Sequence, residues 1–194
     1  MSFHRHFILH KPFGYLSQFV NHQNRRKNKQ LLGELYDFPE GTMAIGRLDQ
    51  DSEGLLLLTT DGRVSMQVRS KKVEKEYYAQ LDGEISEQAL NQLRQGVEIG
   101  VNGKKYMTLP CRAHRLETVP DFAPRGKKIR DARHGPTSWI SITLTEGKFR
   151  QVRKMTAVVG FPTLRLVRVR IGQIRLGDMK AGEVREVDDL AAIL

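Results

Sequence analysis

The sequence predicts an α+β fold, a mixed and largely antiparallel sheet flanked by helices and loops. Three observations predict it. Short apolar or alternating segments recur between Phe7 and Ile171, separated by turn residues. One pair of segments is joined by Asn102-Gly103, a strong short hairpin signal that favours antiparallel neighbours. Helical segments are interspersed among the strands, and neither Gly-x-Gly-x-x-Gly nor Gly-x-x-x-x-Gly-Lys-[Ser/Thr] occurs. A doubly wound parallel sheet with ATP or a dinucleotide as cofactor is therefore not expected.

Phe7 to His10 reads as a strand ending in the turn Pro12-Phe13-Gly14. Gly54 to Thr59 reads as a buried strand closed by Asp61-Gly62, and Glu76 to Leu81 as another. Ser86 supplies an N-cap for a helix through Gln95, with Gly96 in the position that ends it. Val97 to Met107 carries the hairpin. Trp139 to Thr145 alternates and reads as a strand. A helix from Arg150 to Val159 stops at Gly160, with Pro162 beyond it, and Leu164 to Ile171 returns to a strand. Asp188-Asp189 can start a short C-terminal helix.

With 39% hydrophobic and 28% charged residues, the 194-residue chain is a globular mixture rather than a disordered one. Its longest apolar run, Leu55 to Leu58, is far too short to span a bilayer. The N-terminal segment lacks the apolar stretch of a secretory leader, and Cys111 is the only cysteine. Internal disulfides and Cys-based metal sites are excluded, and a cytoplasmic monomer is the expectation. The net charge of +10 points to phosphate backbones as partners. Cations cluster in two loop-like stretches. Asn21 to Gln30 holds Arg25, Arg26 and Lys27, and Pro120 to Pro136 holds Arg125, Lys127 and Lys128. Long loops of this kind are either functional or simply solvated linkers.

The chemistry-bearing stretch is Ile45 to Gly62. Arg47, Asp49, Asp51 and Glu53 crowd a short connection beside a very hydrophobic strand, which anchors the loop to the core. Four segments together resemble the pseudouridine synthases of the RsuA/RluB/RluE/RluF group. They are Lys11 to Tyr15; Gly46-Arg47-Leu48-Asp49 with Ser52, Gly54 and the run to Gly62; Lys75-Glu76-Tyr77; and Glu146 to Arg153. The resemblance covers nearly the whole chain and is specific because the four occur in the family's order. It implies a pseudouridine-synthase-like sheet with an active-site cleft across it, and isomerisation of uridine to pseudouridine in structured ribosomal RNA. It implies Asp49 as the essential carboxylate, an active-site Tyr77, and Arg153 as the arginine that pairs with Asp49. Arg47 would lie near the RNA. No cofactor or metal is implied. About ten residues precede Lys11, so the expectation is one catalytic domain over residues 1–194 without the small N-terminal S4-type RNA-binding module of several members. That shorter form is similar to members acting on large-subunit rRNA.

Read without the resemblance, the same residues keep other roles open. Arg150, Arg153 and Lys154 share one face of a predicted helix, and Val152, Met155 and Val159 share another that would pack on the sheet. Such a basic face is either solvated, an RNA contact, or part of a buried ion pair. Tyr77 by itself is an ordinary strand residue, and Tyr78, on the opposite face, is expected in the core. Lys11 and Pro12 are expected to shape a turn. His4, His6 and His10 share one strand face and are expected at the surface or on RNA rather than around zinc. Two rivals belong to other classes: a non-catalytic RNA-binding assembly factor, and a glycoside hydrolase using two of Asp49, Asp51 and Glu53, which needs two carboxylates at a defined separation.

Overall fold

Apolar strands bury themselves by pairing, and the computed structural model, which describes residues 4–20, 29–70, 73–190 and 192, consists largely of such pairs. The chain forms two units. The first comprises residues 1–73, 123–127 and 168–194, and the second residues 74–122 and 128–167. Each contains a sheet with helices against it, as the α+β expectation requires.

In the first unit, β1 (His6–Lys11) and β3 (Glu53–Thr59) are buried along their whole lengths. They pair antiparallel from His6 opposite Thr59 to Lys11 opposite Gly54. The far side of β1 takes β11 (Val184–Val187), also antiparallel, and β2 (Met43–Ile45) joins β3. Bidentate hydrogen bonds from Arg5 to Glu186, at 2.6 and 2.8 Å, brace the edge that β11 forms. Phe7, Leu9, Leu56 and Leu58 alternate onto one face and close a core with Leu32, Phe19 and Phe38. Phe7 meets Phe38 edge-on at 5.4 Å. The sequence did not point to β2, β11 or α1 (Gly62–Ser70), whose start is capped by the Asp61 carboxylate accepting from the Arg63 N–H at 2.8 Å.

The second unit is built on β4 (Lys75–Asp82), paired antiparallel with β8 (Thr137–Leu144) over its full length, with β7 (Arg112–Arg115) on the other side of β8. The predicted caps of α2 (Glu87–Gln95) are present. The Ser86 hydroxyl accepts from the Ala89 N–H, and Gly96 adopts a φ of 98°. The hairpin of β5 (Glu98–Val101) and β6 (Lys104–Met107) turns through Asn102 and Gly103, both at positive φ. α3 (Gln151–Val158) places Val152 and Met155 in a core shared with Ala79, Leu81, Leu90, Leu93, Ile140 and Ile142. It starts one residue later than predicted, because Arg150 takes a left-handed conformation at its N-terminus.

β9 (Thr163–Ile171) contributes to both units, Thr163–Val167 to the second and Arg168–Ile171 to the first. It neighbours β3 and β4, and the two-residue β10 (Ile174–Arg175) folds back on its end. No described helix is long and apolar enough to cross a membrane. At the C-terminus residues 188–190 form bends and turns, and the rest of the predicted short helix falls largely outside the described residues.

Candidate active site

Asp49 lies half-buried in the connection between β2 and β3, and its neighbours are tied down on both sides. The Leu48 side chain is buried, and its peptide is held by Ser17. The Ser17 hydroxyl donates to the Leu48 carbonyl at 2.8 Å and accepts from the Leu48 N–H at 2.9 Å. On the other side, the Gln50 carbonyl accepts from the Gly14 N–H at 2.8 Å. Within the loop, the Ser52 N–H bonds the Asp49 carbonyl at 3.0 Å. The carboxylate thus stands on a backbone fixed by the turn after β1, the rigidity that a positioned reacting group requires.

Beneath this loop Lys11 is completely buried. Its ammonium donates to the Pro12 carbonyl at 2.9 Å and the Tyr15 carbonyl at 2.8 Å, so it shapes the turn as expected. Burial pushes its pKa down to about 7, against the attraction of Glu53, Asp51 and Asp49, while Arg168 repels it. Next to it, Gly54 has a φ of 105°, and a Cβ there would fall 2.2 Å from the Arg168 carbonyl oxygen. Only glycine lets β3 and the Arg168 backbone approach this closely. The Arg168 guanidinium, also buried, donates to the Leu55 carbonyl at 2.8 Å.

Tyr77, Arg153, Arg150 and Lys154 belong to the second unit. Tyr77 is half-buried and packs with Ala79 and Leu81 against the unit's core. Tyr78, expected in the core, occupies the opposite face, 6.3 Å from Phe122, which in turn lies 5.8 Å from Trp139. The cover comes from the long loop after β7, and nothing within β4 announces it. Arg153 is half-buried and donates to the Thr163 carbonyl at 3.4 Å. Lys154 reaches the Gly100 carbonyl at 2.7 Å. Because Arg150 precedes the helix, the predicted face of three cations reduces to Arg153 and Lys154.

Arg47 is exposed. Of the second basic loop, Arg125 lies over the Phe13 ring at 4.7 Å and bonds the Lys127 carbonyl, while Lys127 and Lys128 are exposed. Arg25, Arg26 and Lys27 of the first loop lie outside the described residues. The histidines correct an expectation. His6 and His10 are buried, with Nδ1 atoms 2.8 Å from Thr59 Oγ1 and from the Met179 carbonyl. Every residue of β1 is buried, so both of its faces are covered, and the segment that carries Met179 packs on the histidine side. Cys111 donates to the Leu93 carbonyl, and burial pushes its thiol up to about 11, which leaves it a poor nucleophile. Sequence reasoning missed Ser17 altogether. It also missed the burial of Lys11, for which the signal was an unbroken strand ending in a lysine.

A half-buried carboxylate on a fixed loop, in a basic α+β chain, is an arrangement suited to chemistry on a polyanion. The model of the RNA pseudouridylate synthase family matches residues 5–158, and the chain belongs to that family, whose members are isomerases. It is 42% identical over 188 residues to a ribosomal large subunit pseudouridine synthase E of Xanthomonas campestris pv. campestris, covering 96% of each chain. It is 41% identical over 184 residues to a Vibrio parahaemolyticus protein of the same name, covering 93% of this chain and 72% of the relative. Among solved structures, a pseudouridylate synthase superposes with a TM-score of 0.73 at 26% identity, over 96% of this chain and 71% of that one.

Proposed function

We propose that the chain isomerises a specific uridine of large-subunit ribosomal RNA to pseudouridine, with Asp49 as its essential carboxylate. The reading is supported by two relatives named ribosomal large subunit pseudouridine synthase E, one matched over 96% of both chains and the other over 93% of this chain and 72% of its own. The observation that carries the role of Asp49 is the double tether of its loop, Ser17 on Leu48 and Gly14 on Gln50. The target nucleotide must leave its stack for the glycosidic carbon to be reached. Asp49 then attacks the sugar or removes a sugar proton as the C1′–N1 bond breaks. The freed uracil turns, a C1′–C5 bond forms, N1 gains a proton, and the C5 proton leaves to solvent. Atoms balance without an oxidant or a phosphoryl donor, so the reaction calls for no cofactor.

Tyr77 and Arg153 serve as active-site support. Arg47, Arg150, Lys154 and the cations of the two basic loops (Arg25, Arg26, Lys27 and Arg125, Lys127, Lys128) hold the RNA. The protein acts as a cytoplasmic monomer of one catalytic domain. The test is tritium release from rRNA carrying 5-tritiated uridine. Only isomerisation frees that label without cutting the strand, so no release would return the protein to the class of non-catalytic RNA-binding factors. Mapping pseudouridines in rRNA from cells lacking the gene would name the nucleotide.

A further inference from the structure

We propose that Phe149, flanked by Lys148 and Lys154, is a stacking platform for an unpaired base of the substrate RNA. Phe149 is 65% exposed, although the loop that displays it is fixed. Glu146 is the hub of that loop. It accepts from the Tyr106 hydroxyl at 2.5 Å, from the Leu109 N–H at 2.8 Å and from the Gln151 side-chain amide at 2.5 Å. Gln151 in turn accepts from the Lys148 N–H at 2.9 Å and donates its own N–H to the Lys148 carbonyl at 3.1 Å. Directly after Phe149 the backbone of Arg150 adopts a φ of 53°, which costs energy for a residue with a Cβ and redirects the chain into α3. A phenylalanine on a yielding loop would fold onto the surface. Here the surrounding bonds hold it out in water.

The neighbours identify the partner. The Lys154 ammonium lies 5.1 Å from the centre of the Phe149 ring, held there by its bond to the Gly100 carbonyl. Lys148 stands on the other side in sequence, with its ammonium 4.7 Å from the Tyr106 ring. An exposed ring with one ammonium beside it and a second lysine next to it in sequence suits a base followed by its phosphate, the pattern by which single-stranded RNA is held without sequence preference. Protein interfaces are depleted in lysine, whereas this ring has Lys148 and Lys154 as its neighbours in a chain of net charge +10. The inference rests on the RNA-enzyme reading, but its test does not depend on catalysis.

The experiment titrates the full chain into an oligoribonucleotide carrying 2-aminopurine, whose fluorescence is quenched on stacking. Phe149→Ala and Phe149→Leu should bind roughly five- to a hundredfold more weakly and lose the quench. Phe149→Trp should keep both. The dependence of binding on salt should not change, because the ring neutralises no phosphate. Thermal melting of all three variants should match the parent, since the ring is exposed. Unchanged affinity and quench in Phe149→Ala, or a Phe149→Leu variant as good as the parent, would overturn the platform. Phe149-dependent quenching in a protein that releases no tritium from rRNA would instead overturn the isomerase reading and leave the platform standing.

Discussion

The Ser17 hydroxyl holds the Leu48 peptide at both ends, donating to its carbonyl at 2.8 Å and accepting from its N–H at 2.9 Å. One buried side chain therefore fixes the residue directly before Asp49, from 31 positions away in sequence. Ser17→Ala would leave both backbone groups without that partner, at a cost of about 1–3 kcal/mol. Ser17 positions and touches no substrate, so the variant should lose kcat well beyond any change in KM while still binding RNA. Steady-state tritium release beside a thermal melt checks this. A fall in stability with unaltered kcat would make Ser17 a packing residue only.

Asp49→Asn is nearly isosteric and should keep the loop and its packing. It removes the negative charge that the proposed chemistry uses. Isomerisation should vanish, while RNA affinity holds or rises slightly. Asp51→Asn, as a control, should keep much of the activity. Tritium release and filter binding on the same RNA decide it, and an active Asp49→Asn beside an inactive Asp51→Asn would reverse the assignment.

Lys11 couples folding to pH. Its pKa is about 7 in the folded protein against an ordinary 10.5, because burial disfavours the ammonium. Between those values the unfolded chain holds a proton that the folded one has released. Stability from this group therefore rises with pH across that window, by an amount on the order of a few kcal/mol, and the full cost of burying the charge is felt below pH 7. Lys11→Met cannot titrate. Urea midpoints of parent and variant, measured from pH 6 to 10, should separate in favour of the parent as pH rises. A constant difference would mean that Lys11 keeps an ordinary pKa.

Gly54→Ala combines a backbone of positive φ with a methyl 2.2 Å from the Arg168 carbonyl oxygen. Strain and overpacking together should cost at least about 2 kcal/mol. Because the displaced strand follows directly on the Asp49 loop, activity should fall with it. Gly100→Ala, where the added Cβ meets nothing within 4 Å, is the matching control and should melt like the parent.

Replacing Arg125, Lys127 and Lys128 by alanine should weaken RNA binding and lower the salt slope by roughly one for each phosphate no longer neutralised. Lys127 and Lys128 are exposed, so their removal should leave the fold intact. Equal affinity at all salt concentrations would make the loop a plain linker.

The parts of the fold that the sequence made legible are those governed by neighbours along the chain. The Ser86 and Gly96 caps, the Asn102-Gly103 turn and the apolar run of β3 are local signals, and all appear where expected. β2 and β11 are only three and four residues long, and they exist because β3 and β1 offer them backbone bonds from distant positions. The helix after Asp61 was hidden because Asp61-Gly62 reads equally well as a turn and as a cap. At the site, the motif around Asp49 was plain. The Ser17 tether and the burial of His6 and His10 were not, because each depends on a partner tens of residues away.

β9 divides between the two units, and the first unit draws on both ends of the chain. This sets an order on how the protein can be made. β1 leaves the ribosome long before β11, which closes its outer edge. At roughly 5–20 residues per second the first strand waits on the order of ten seconds with that edge open. Residues 74–122 and 128–167 are synthesised in one stretch, so the second unit has most of its chain before the first can finish. A fragment ending before Arg168 and released from the ribosome should therefore protect the core of the second unit from protease and leave β1 open to attack.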